Sequence, residues 1–198
     1  MLRVLFLLLF LFGVSQSWAQ DEIIEWAENY ELQLSDFKNP ESEIGPTVSN
    51  SFVQSGATVE IGFQMSSVSF MFTKNFNNKV STKFYRKAAF LVAMDTTAAK
   101  RLLRLSQFDF DLTELYARKI RKELYENKKT FSKGDFFQPY FDKMIEELNS
   151  VSGKVYKNSE FGLKMDIVEK EHERVLSEIK ELSDFCKECK PPKRKKKK

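Results

Sequence analysis

Apolar residues recur at alternating steps of three and four along the last part of the chain. Met165, Val168, His172, Val175, Ile179, Leu182, Cys186 and Cys189 make one such series. This is the a/d spacing of a heptad repeat, and it predicts a helix from about Ser159 that carries a packing seam with coiled-coil character. Glu171 and Glu178 fall at g positions and Glu169 at an e position, so two parallel copies would set like charges against each other. Leu176 and Phe185 widen the stripe. The first part of the helix is therefore expected to dock on its own bundle. Its end, from about Leu182, is left to meet another chain.

The rest of the chain gives similar stripes. Ile23, Ala27, Tyr30 and Leu34 share one face of a helix predicted over Asp21–Leu34. Residues 35–49 contain Pro40, Gly45 and Pro46 and little apolar content, which predicts a loop. Phe84, Ala88, Leu91, Ala98, Leu102 and Leu105 fit a helix over Thr82–Ser106, with Asp95-Thr96-Thr97 as an interruption. Asp111-Leu112-Thr113-Glu114 has capping-box character and opens a further helix. Its apolar face is Leu112, Leu115, Tyr116, Ile120 and Leu124, and Arg118, Lys119, Arg121 and Lys122 lie opposite. Ser132-Lys133-Gly134-Asp135 starts another helix, with Phe137, Tyr140, Phe141, Met144, Ile145 and Leu148 on its face and a connection over 151–158.

Residues 47–76 fit two periods. Val59, Ile61, Phe63 and Met65 alternate with polar residues or glycine, as in a strand, while Ile61, Met65, Val68 and Phe72 also fit a helical stripe. A hairpin there has only Ser66-Ser67 for its turn, without Gly, Asn or Asp, so a helix is preferred. The expected fold is an all-α antiparallel bundle of five or six amphipathic helices, spanning residues 20–189. The alternative is an α+β fold with a short hairpin in 58–73.

The first nineteen residues stand apart. Met1-Leu2-Arg3 is a positive start, Val4–Val14 an apolar run of eleven residues, and Ser17-Trp18-Ala19 a small-residue cleavage pattern. A membrane span needs roughly 17–25 residues, so the layout is that of a secretory signal peptide cut after Ala19. The mature chain is then expected to be secreted and extracellular, with no integral span.

Charge adds the second asymmetry. The chain carries +4 overall, but its last twelve residues contain eight basic residues and one acidic, +7, which leaves −3 for the remainder. Residues 190–198 cannot pack and are expected to be a disordered tail. Lys190, Lys193, Arg194, Lys195, Lys196, Lys197 and Lys198 are the candidate contacts to a sulfated polysaccharide or other polyanion.

Candidate chemistry is sparse. His172 is the only histidine, and it lies on the seam between Val168 and Val175 without a run of metal ligands beside it. Cys186-Lys187-Glu188-Cys189 has the spacing of a redox motif but follows a helix, where the dipole raises thiol pKa values rather than lowering them. The two cysteines are disulfide candidates, either with each other or across the end of two paired chains. No catalytic residue, metal site or cofactor is assigned. The expected function is that of a secreted, non-enzymatic interaction protein. It associates with a protein partner or itself through its C-terminal helix, and the basic tail contacts polyanions. Carriage of lipid or a small hydrophobic ligand inside a helical bundle is the alternative.

Overall fold

The computed structural model describes residues 22–62 and 64–192. The elements in order are β1 (Ile23–Glu25), β2 (Glu43–Ile44), β3 (Phe52–Gln54), β4 (Ala57–Ile61), α1 (Ser67–Phe72), β5 (Val80–Tyr85), β6 (Phe90–Ala93), α2 (Thr96–Asn127), α3 (Gln138–Asn158) and α4 (Met165–Glu181). Single 3-10 turns lie at Leu34–Asp36, Asn77–Lys79 and Ser183–Phe185. The fold is α+β, with two three-stranded sheets, and not an all-α bundle of five or six helices.

The sheets run β1-β5-β4 and β2-β6-β3. Both neighbours of β5 are antiparallel to it; β6 pairs antiparallel with β3 and parallel with β2. β3 and β4 are successive pieces of one strand path, and β6 and β5 answer them from the other side. The path steps between sheets at Gly56. A Cβ there would stand 2.5 Å from the Tyr85 carbonyl oxygen, so only glycine lets the two backbones meet.

The segment predicted as helix over Thr82–Ser106 is strand at Thr82–Tyr85 and Phe90–Ala93 and becomes helix only from Thr96. Val80, Thr82 and Phe84 are buried and Ser81, Lys83 and Tyr85 are partly exposed, the alternation of a sheet with one covered face. Phe84, Ala88 and Leu91 share a helical spacing only by coincidence. Asp95 does not interrupt a helix but caps α2, accepting from the Ala98 N–H at 2.8 Å. The helix predicted over Asp21–Leu34 is also absent. Ile23–Glu25 pairs with β5, the Trp26 N–H donates to the Thr82 carbonyl at 3.0 Å, and the Leu32 N–H donates to Gln107 Oε1 at 2.8 Å. These long-range partners outweigh a weak local helical preference.

Neither reading of residues 47–76 survives whole. Ala57–Ile61 is a strand, but it pairs with β5 rather than folding back as a hairpin in 58–73. Ser67–Phe72 is a helix, capped by Ser66, whose hydroxyl accepts from the Ser69 N–H.

α2 is the spine of the molecule. It crosses both sheets and carries α3 and α4 on its other sides, and its middle is buried nearly all round. Asp111 to Glu114 lies inside α2 and does not open a helix. The Thr113 hydroxyl donates to the Asp109 carbonyl, and Asp111 and Glu114 are taken up by distant partners, so no capping box forms. α3 continues through the predicted connection at 151–158, with Val155 buried, and ends in a left-handed turn at Glu160, Phe161 and Gly162.

The predicted seam is core. Val168, Val175 and Ile179 are buried with Leu112, Leu115 and Tyr116, and Met165 and Leu182 pack at the margin of the same cluster. Val168, Val175 and Ile179 face α2 of the same chain, so the helix is not a coiled-coil strand. Among the described residues no helix is long and apolar enough to cross a membrane. The signal segment, its cleavage point at Ala19 and the tail residues 193–198 lie outside the described residues.

Candidate functional site

Three polar clusters radiate from α2, and each holds a different neighbour against it. The first surrounds Asp109. Its carboxylate accepts from Ser152 Oγ at 2.7 Å and from the Tyr156 hydroxyl at 2.5 Å, both on α3. Burial pushes the Asp109 carboxyl up to about 6, against the lowering effect of these two donors. Burial, with the Asp109 charge beside it, pushes the Tyr156 phenol up. Outside this cluster lies an open, mainly apolar hollow of about 620 Å³ bordered by Tyr156 and Phe161.

The second cluster surrounds Asp111. Oδ1 accepts from Trp26 Nε1 at 2.7 Å, and Oδ2 accepts from Gln107 Nε2 at 2.9 Å and His172 Nε2 at 2.8 Å. A carboxylate only accepts, so His172 Nε2 is the donor in this bond. The ring lies edge to face against Phe108. A hollow of about 250 Å³ lies here, lined by Glu28, Glu31, Asp111 and His172 among others. The lone seam histidine thus ties α4 to Asp111 of α2, which also holds Trp26 just after β1. Among the described residues no group of three or more His, Cys, Asp or Glu could hold a metal ion.

The third cluster leads to the carboxyl-terminal end. Glu114 Oε1 accepts from Arg118 Nε at 2.9 Å and Arg121 Nη1 at 2.8 Å, and Oε2 accepts from the Thr82 hydroxyl at 2.8 Å. Arg118 Nη1 donates to the Ile179 carbonyl, and its guanidinium lies over the Trp26 ring. Arg121 donates to the carbonyls of Val80 and Phe185. Arg118 thus meets a carbonyl in the last turn of α4, where the helix dipole favours positive charge, and Arg121 meets one in the 3-10 turn that follows. Arg118 and Arg121 are buried, so the face of 118–122 is not a free cationic surface. Lys119 is also engaged, pairing with Glu178 and lying over the Tyr116 ring.

The chain then turns through a disulfide between its own Cys186 and Cys189. That bond is compatible with an extracellular protein. The Cys189 carbonyl accepts from the side-chain amides of both Asn75 and Asn77 at 3.0 Å. Asn77 also donates to the Asp184 carbonyl, and the Tyr125 hydroxyl donates to the Pro192 carbonyl at 2.9 Å. Of the predicted polyanion contacts, Lys190 lies within this anchored stretch; Lys193, Arg194 and Lys195 to Lys198 lie beyond the described residues.

Asn75, Asn77 and Tyr125 were not singled out by sequence reasoning. Nothing local shows that the asparagine amides reach residues more than a hundred positions away. The hydroxyl of Tyr125 carries no pattern at all. No family model matches this chain, and no curated protein or solved structure matches it.

Proposed function

We propose that the protein is a secreted, non-enzymatic interaction protein that engages polyanions through its basic carboxyl-terminal end. The observation that carries this reading is the double capture of the Cys189 carbonyl by Asn75 and Asn77. With the disulfide and the Tyr125–Pro192 bond, it delivers the run Lys193–Lys198 from a fixed place on the body. Residues 190–198 carry seven positive charges, a composition that draws a polyanion at low salt. α4 serves this role by positioning the segment, since its own apolar face is occupied by α2. The test is retention on a heparin column. Deleting residues 190–198 is expected to abolish salt-sensitive retention, and elution of the deleted chain at the salt of the full chain overturns the reading.

A second reading, carriage of a small hydrophobic ligand, is favoured by the apolar hollow beside Tyr156 and Phe161. That hollow lies on the outside of α3 and its closing turn, not between helices, which makes it the weaker alternative.

A further inference from the structure

The end of the molecule that presents the basic segment also bears exposed apolar side chains. α1 turns Phe70 inward, where its ring stands 5.9 Å from Phe76 and 5.8 Å from Phe136. Val68 and Phe72, one turn apart on the helix, are 65% and 75% exposed. The loop after α2 packs against α1 through Phe136 and through Lys128, whose ammonium lies 4.3 Å from the Phe70 ring centre. From that loop Phe131 projects 87% exposed. Single exposed apolar residues are ordinary, but three on two segments packed together form a patch.

The surroundings of the patch are cationic. Segments 64–79 and 127–136 contain five lysines and one aspartate, and Lys74, Lys129 and Lys133 are exposed. Lys74 depresses the pKa of Lys128, after the larger effect of burial. The basic segment leaves the body at the same end: Asn75 and Asn77 follow α1 by a few residues, and Tyr125 precedes Lys128 by three.

We infer that this end is a docking surface for an anionic membrane, with Phe72 and Phe131 entering the interface while Lys74, Lys129 and Lys133 meet the headgroups. The inference rests on the polyanion reading and names the class of polyanion. A sulfated polysaccharide would use the positive charge but offers no apolar layer to receive two phenylalanines. A lipid interface uses both, and stable peripheral binding takes two such signals together.

The experiment measures sedimentation of the purified mature chain with phosphatidylcholine vesicles, with and without phosphatidylserine, beside heparin retention. The unmodified chain is expected to bind only the vesicles that contain phosphatidylserine. F72S/F131S changes two exposed positions, so circular dichroism should be unchanged. Its vesicle affinity is expected to fall at least about tenfold while its heparin retention stays the same. Equal vesicle binding by F72S/F131S and the unmodified chain overturns the inference, as does no binding to phosphatidylserine vesicles. In that second case, loss of heparin retention on deleting 190–198 leaves the polyanion reading standing with a polysaccharide as its target. Heparin retention unchanged by the deletion, together with lost vesicle binding by F72S/F131S, sinks the tail reading and keeps the lipid surface.

Discussion

The hydroxyl of Tyr156 donates to Asp109 across 2.5 Å, and this bond ties α3 to the helix at the centre of the molecule. The pair has a pH signature. Burial raises the Asp109 carboxyl from 3.8 to about 6, so between these values the folded protein holds a proton that the unfolded chain has released. Stability from this group is therefore greatest below the lower value and is lost as pH rises toward 6. Asp109→Asn removes the titration. From pH 4 to pH 7 the unmodified chain is expected to lose about 1–3 kcal/mol more than the variant. Denaturant melts at steps through that range decide it, and parallel profiles would show that Asp109 is not held protonated.

Glu114 is the single carboxylate between two buried guanidiniums. Substituting it by Gln leaves Arg118 and Arg121 inside the fold without their counter-charge. The expected cost is about 3–5 kcal/mol, the range for breaking a buried pair from one side. Thr82→Val removes only a hydroxyl donor from the same carboxylate and should cost about 1 kcal/mol. Chemical denaturation of both variants checks the contrast. Equal effects would mean that water or rearranged donors compensate for the lost charge.

These buried charges also explain what a single sequence hides. The seam at Val168, Val175 and Ile179 was legible because its buried positions are apolar and fall at helical steps of seven and four. α2 was not legible as one helix. Asp109, Asp111, Glu114, Arg118 and Arg121 look like a solvated face, yet each is matched by a group from Trp26, β5, α3 or α4. β5 was obscured in a similar way, because its buried slot at Thr82 is polar and satisfied by Glu114. The basic charge of the carboxyl-terminal end was plain from composition. Its anchorage on Asn75, Asn77 and Tyr125 depends on tertiary contacts that no local pattern encodes.

The position of Ile179 tests whether α4 is part of the body or an arm laid upon it. Its side chain is buried with Val168 and Val175 against α2, and its carbonyl accepts from Arg118. Leu176, on the same helix, lies at the exposed edge of the stripe. Ile179→Asp would place a carboxylate in an apolar cluster. Arg118 lies nearby, but it is already committed to Glu114 and to the Ile179 carbonyl. The expected loss is upward of about 4 kcal/mol, enough to unfold or loosen the chain. Leu176→Asp changes a position that keeps its access to water and should leave the melting temperature within about 2 °C. Thermal melts of the two variants separate the cases. A folded Ile179→Asp with an unchanged melting temperature would mean that α4 can leave α2 without harm. The helix that anchors the basic segment would then be a movable arm.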